Sequence, residues 1–306
     1  MATTTVRRAK SSPWARFMRW ASFEGFFTHV VMVIVLFVIF VPFLWMVGTT
    51  FKDRLEFATN SGAIVPRRFS LVNYGYMLTA MENLPIYMRN SFILAFGTVA
   101  LEVFTSCLAG YAFARMQFRY RDLIFVGMLV SLFIPRTGGL MAVYELMSFL
   151  KLRNSILGLI LYFSAGVPTA IFIMRQTFLA IPKDIEESAF IDGASWFQVF
   201  WRIALPIAAG GMVVIATLSF IGVWSDYLTT FTLIDSDTQM TISVGVQKLR
   251  TTGLYESALS PRFRGKFAGE AADATMFLTA ALPVIIFYAA LQRWFMKGLM
   301  EGAIKF

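Results

Sequence analysis

The sequence predicts an all-α integral membrane protein with six transmembrane helices. Three observations carry that expectation. Of the 306 residues, 58% are hydrophobic and 15% charged, where a soluble domain carries about 25% charged residues. The apolar residues gather into runs rather than recurring at the spacing of a half-buried helix or strand. Six of these runs, 30–49, 90–114, 123–147, 156–180, 204–229 and 274–296, reach the length that a helix needs to cross a bilayer.

Residues 1–29 form a basic, amphipathic lead-in. Ser12-Pro13 places a capping residue before a proline suited to a first helical turn, and Trp14, Phe17, Trp20 and Phe23 alternate with Arg16, Arg19 and Glu24. Such a segment either lies in the membrane interface or continues the first span inward. The first run is too long for a signal h-region and lacks a small-residue cleavage site, so it reads as a retained helix. In the third run, Pro135 and Gly138-Gly139 break the helical pattern. Such a break is tolerated in a membrane where protein or a cavity satisfies the backbone, which marks either a pathway wall or a packing site. The connections at 50–88 and 230–273 are long, and that at 115–122 is short and basic.

The formal net charge of +9 sits beside apolar runs, which suits lipid headgroups and leaves no reason to expect nucleic acid. Lys and Arg divide almost evenly between the two faces of a six-span chain. The basic lead-in and the short 115–122 loop weigh most, and both favour cytoplasmic N and C termini. The single cysteine, Cys107, excludes an intrachain disulfide and a cysteine-rich metal site and reads as small core filler. No metal site is expected.

The most informative stretch is 182–206. Asp184, Glu186, Glu187 and Asp192 place four carboxylates within nine residues. Pro182 cannot continue a preceding helix, and Gly193 can adopt positive φ and end a following one. A short acidic helix over 184–192 follows, with Asp184 and Glu187 at capping-box spacing. Ser195 and Gln198 repeat that spacing. Trp196, Phe197, Phe200, Trp201 and Ala204 then share one helical face, so the second short helix is expected to lie along the membrane surface before Pro206.

This stretch resembles the EAA loop of permease subunits of ATP-binding-cassette importers, whose pattern is Glu-Ala-Ala, three residues, Gly, nine residues, Ile-x-Leu-Pro. Here Glu187-Ser188-Ala189, Gly193 and Ile203-Ala204-Leu205-Pro206 keep every interval, with Ser188 as the one departure. The likeness covers most of the chain. Asn90-Ser91, Ala109-Gly110-Tyr111-Ala112-Phe113-Ala114-Arg115, Trp224-Ser225-Asp226-Tyr227 and the tail from Lys297 are similar to the carbohydrate-uptake branch, notably the maltose-permease G type.

The resemblance implies a type I importer permease (MetI-like) fold with a cytoplasmic coupling helix at 182–206, a six-helix permease domain over 30–296 and a cytoplasmic tail at 297–306. It further implies a second permease subunit, two ATP-binding subunits holding ATP and Mg, an extracytoplasmic solute-binding protein, and a bacterial or archaeal inner membrane. The coupling residues carried over are Glu187, Ser188, Ala189, Gly193, Ile203, Leu205 and Pro206. The chain has no phosphate-binding loop of its own, so it is expected to be a transport subunit and no enzyme.

The substrate is expected to be a sugar, a di- or oligosaccharide, with a polyol or glycerol phosphate as the alternative. Aromatic faces and neutral polar groups suit it, which singles out Asn90, Tyr144, Tyr162, Ser164, Ser219, Trp224 and Tyr227. Glu102 and Asp226 are acids within or at the end of spans, where ionisable groups are costly and often functional. A stand-alone secondary transporter or channel would need matched helix breaks in two halves. A membrane enzyme would need clustered His, Cys or paired carboxylates, and the chain has one His and one Cys.

Overall fold

The computed structural model describes residues 23–134, 136–165, 167–251, 263 and 265–303. The lead-in at 1–22, Pro135, the arginines at 262 and 264 and the last three residues lie outside these. The described residues contain helices and no strand, and they fall into two units, 1–74 with 265–275, and 75–264 with 276–306.

In the first unit, α1 (Phe23–Thr49) is continuous from Phe23 into the first apolar run. Its apolar window has none of its residues buried, so it presents hydrophobic side chains on every side. Where it ends, the chain turns polar and compact. Lys52 is wholly buried, and its ammonium donates to the carbonyls of Ser61 at 2.9 Å and Ala63 at 2.6 Å. Burial pushes this ammonium below the usual lysine value. Asn73 clamps the same turn by donating to the carbonyls of Thr50 and Lys52. The short helix α2 (Arg54–Thr59) is capped by Asp53, and its Glu56 accepts from the Asn60 amide and the Arg67 N–H. These bonds, the Asn60 one foremost, hold the Glu56 carboxyl below its ordinary value.

α3 (Val72–Ala80) crosses into the second unit. There α4 (Leu84–Arg115) is the central post. The third run is interrupted: α5 (Arg121–Val130), two 3-10 turns at Ser131–Phe133 and Arg136–Gly139, then α6 (Leu140–Phe149). The Gly138-Gly139 pair, poor in helix propensity, sits in the second of those turns. The fourth run is a bent pair, α7 (Ile156–Ala165) and α8 (Pro168–Ala180), with Pro168 in the first turn of α8. Next come the short α9 (Lys183–Ile191) and α10 (Trp196–Ile207). The fifth run begins later than the sequence suggests, as α11 (Ala209–Ser225), bent 70° from α10. α12 (Leu228–Leu233), α13 (Ile242–Thr251) and α14 (Gly269–Ala303) complete the order. α1, α4 and α14 are long and apolar enough to cross a membrane as single helices, and the two bent pairs qualify as broken spans.

α4 packs along α8, α11 and α7. Glycine allows the closest approach: a Cβ at Gly110 would stand 2.5 Å from the Cβ of Met174 and 3.0 Å from the backbone nitrogen of Arg175. Small residues at such crossings replace the hydrophobic drive that lipid removes. Cys107, Tyr111, Met174, Phe178, Phe200 and Ala204 close the core there, with Cys107 as the expected filler. Gly110→Val is expected to cost about 1–3 kcal/mol through overpacking. A fall in the detergent unfolding temperature larger than that of Gly127→Val, where nothing lies within 4 Å, would be the sign.

Candidate functional site

Pro182 opens α9 without a side-chain cap bond. Asp184 is therefore not the cap that its spacing suggested. The helix starts one residue earlier, at Lys183, because Pro182 supplies the entry geometry, and Asp184 and Glu186 lie in the first turn, where carboxylates favour the positive end of the helix dipole. Gly193 has φ +84° and ends the helix, with its N–H donating to Phe190 and the Ala194 N–H to Ala189. The Ser195–Gln198 capping box forms with both of its bonds. The rings of Phe190 and Trp196 meet at 4.5 Å across the turn and fix the knuckle.

The two faces of α9 differ sharply. Asp184, Glu187, Ser188 and Ile191 are exposed and follow i, i+3, i+4, i+7, one stripe of a helix, with Ile191 85% exposed. Glu186, one residue from Glu187 and about 100° round the helix, is 3% exposed and points inward. It accepts from Arg115 Nε at 2.8 Å and from the Tyr111 hydroxyl at 3.2 Å, and a second Arg115 nitrogen donates to the Ile181 carbonyl at 2.7 Å. In the sequence Glu186 is one of four clustered acids, with nothing local to set it apart from Glu187. The signal of its role was present in Arg115, a basic residue closing a long apolar helix, and in the adjacency of two glutamates that must face different ways.

α10 holds a π-helical turn over Phe200–Ala204, and the Leu205 N–H reaches the Phe200 carbonyl. Pro206 accounts for it: proline has no N–H and its ring would strike the carbonyl four residues back, so the backbone widens. The expected aromatic face divides. Val199, Phe200 and Ala204 are buried, whereas Trp196, Phe197 and Trp201 are exposed. Ile203 and Leu205 are half-buried, Leu205 against the core, and Pro206 is exposed.

Two cavities among the described residues of the second unit bear on the candidate residues. The first, about 230 Å³, sits among α4, α7, α8 and α11 and is lined by Glu102, Phe163, Thr169, Ser219 and Asp226 with aliphatic neighbours. Ser219 donates to Glu102. The second, about 470 Å³, is lined by Trp224, Tyr227, Ser243 and Gln247 with apolar residues of α13 and α14. The candidate pathway residues therefore separate. Ser219 lines the first cavity, and Trp224 and Tyr227 line the second. Trp224 also donates to the Ala280 carbonyl. The buried Asn90 amide donates to the carbonyls of Thr238 and Met240, Ser164 bonds the Ile160 carbonyl within its own helix, and Tyr144 accepts from Arg153. The Tyr162 ring packs edge-on against Phe163.

Residues 11–301 match the family described as binding-protein-dependent transport system inner membrane component. The chain belongs to this family. The permease is 30% identical over 245 residues to the arabinooligosaccharides transport system permease protein AraQ of Bacillus subtilis, covering 79% of this chain and 81% of AraQ. It is 28% identical over 272 residues to the sulfoquinovosyl glycerol transport system permease protein SmoH of Agrobacterium fabrum, covering 86% and 88%. Its fold matches a chain of a bacterial ABC transporter that imports the acidic polysaccharide alginate, with TM-score 0.78, 19% identity, and 93% and 98% of the two chains covered. The permease is thus an inner-membrane importer component with the all-α fold that its sequence predicts.

Proposed function

We propose that this permease forms half of the pathway of an ATP-driven importer for a neutral di- or oligosaccharide, and that α9 is where an ATPase docks. Its partners on this reading are a second permease subunit, two ATP-binding subunits carrying ATP and Mg, and an extracytoplasmic solute-binding protein. The exposed stripe of Asp184, Glu187, Ser188 and Ile191 carries the reading. It offers carboxylates to basic partner side chains and an apolar anchor at its end, on a helix whose opposite face is fixed to the membrane unit. With α9 in the cytoplasm, both chain termini are cytoplasmic as well. The chain carries no phosphate-binding loop, so hydrolysis falls to the partners. Pull-down of an ATPase and a second permease with the tagged chain tests this assembly; a single purified chain that transports without ATP refutes it.

Relatives named for arabinooligosaccharide and sulfoquinovosyl glycerol transport support a sugar. The cavities support a neutral one. Glu102 and Asp226 line the first, and no Lys or Arg is among the described residues lining either. Carboxylates accept hydrogen bonds from sugar hydroxyls and repel a phosphate, which argues against the polyol or glycerol phosphate alternative. Glu102→Gln is expected to raise the half-saturating sugar concentration about tenfold or more, as loss of a charged hydrogen bond does. Uptake in proteoliposomes of labelled neutral oligosaccharides against glycerol phosphate checks both points. Preference for glycerol phosphate would overturn the substrate class.

A further inference from the structure

Neighbouring glutamates on α9 have opposite surroundings, and the inward one has a built socket. Arg115 and Glu186 form an ion pair at 2.8 Å with side-chain exposures of 5% and 4%. The same guanidinium reaches the Ile181 carbonyl, so Arg115 grips the chain on both sides of Pro182. Arg115 is the last residue of α4, the helix along which α7, α8 and α11 all pack. The Tyr111 hydroxyl also donates to Glu186, at 3.2 Å, and its ring, which meets Phe178 at 5.2 Å and Phe200 at 5.0 Å, joins α4 to α8 and α10 without touching α9. Apolar contact is non-directional and lets a short helix roll, whereas a guanidinium fork holding a carboxylate and a carbonyl sets direction.

We propose that Arg115 and Glu186 are positioning residues that make α9 and the end of α4 move as one body, so that work delivered to α9 reaches the membrane helices. The proposal rests on α9 being the ATPase docking element. Without the pair, α9 still docks but keeps only the Tyr111 hydroxyl and the Phe190–Trp196 contact to set its direction, and ATP is consumed with little transport.

The test is sugar imported per ATP hydrolysed by the complete transporter in proteoliposomes, with the solute-binding protein supplied. Arg115→Met and the near-isosteric Glu186→Gln are expected to assemble with the ATPase and to continue hydrolysis, with import per ATP falling about tenfold, within the range by which coupling residues act. Arg115→Lys, which keeps the charge but loses the fork, is expected to recover part of that ratio. An unchanged ratio in an assembled Arg115→Met complex overturns the proposal. So does failure of Glu186→Gln to assemble, which would make the pair a folding element only. Glu187→Ala separates the two readings: if it leaves ATPase assembly and uptake untouched, the docking assignment fails, whereas normal coupling in the Arg115 and Glu186 variants beside a defective Glu187→Ala removes the positioning role alone.

Discussion

Glu187→Ala is expected to reduce ATP-driven sugar uptake by at least about thirtyfold: on the proposed docking Glu187 meets a basic partner side chain, and truncating one partner of a charge pair buried at an interface costs about 2–5 kcal/mol. Glu187 is exposed in the isolated chain, so the substitution disturbs nothing within it. The chain should therefore reach the membrane in normal amount and lose affinity for its ATPase. Shifting a pathway from 99% inward-facing to 99% outward-facing takes about 5.5 kcal/mol of differential binding, and a weakened dock transmits less of it. Uptake and pull-down measured on the same membranes check the result; undiminished uptake would remove α9 from the coupling route.

Gly193→Pro is expected to abolish uptake altogether. The residue has φ +84°, its N–H donates to the Phe190 carbonyl at 3.0 Å, and it separates α9 from α10. Proline holds φ near −65° and has no N–H, so the knuckle must rebuild. Gly193→Ala isolates one part of that effect. Nothing lies within 4 Å of an added Cβ there, so only the left-handed backbone penalty of about 1–2 kcal/mol remains. Uptake should then fall in the order wild type, Ala, Pro, with membrane levels constant. Equal loss in Ala and Pro would point to a contact at Gly193 rather than to its backbone conformation.

Apolar run length located the membrane elements in the sequence because lipid imposes it residue by residue. Breaks were legible where Pro or Gly forced them, as at Gly138-Gly139 and Gly193. The start of α11 was not. Ala204 and Ala208 are apolar and extend the hydropathy run, but both are wholly buried in the knuckle's core, so the run overshoots the helix. Asp184 misled for a related reason: cap spacing is local, and Pro182 had already fixed the entry. The short helix itself was legible because Pro182 and Gly193 bracket it, and its exposed stripe at 184, 187, 188 and 191 follows from helical periodicity. The Arg115–Glu186 pair was not, since 71 residues separate its members and a single sequence holds no record of that distance.

The corner at Ala208 has a mechanical consequence. α10 meets α11 at 70°, and a π turn without the usual four-residue bonding lies just before it. A push directed along α10 has only a minor component along the axis of α11. Most of it acts across that axis, so the corner behaves as a bell crank, turning a stroke in one plane into a tilt of the membrane rod. Tilting α11 relative to α4 changes the separation of Ser219 from Glu102, which are hydrogen-bonded and both line the first cavity. On the proposed docking, the stroke at the knuckle and the width of that cavity become two readings of a single angle.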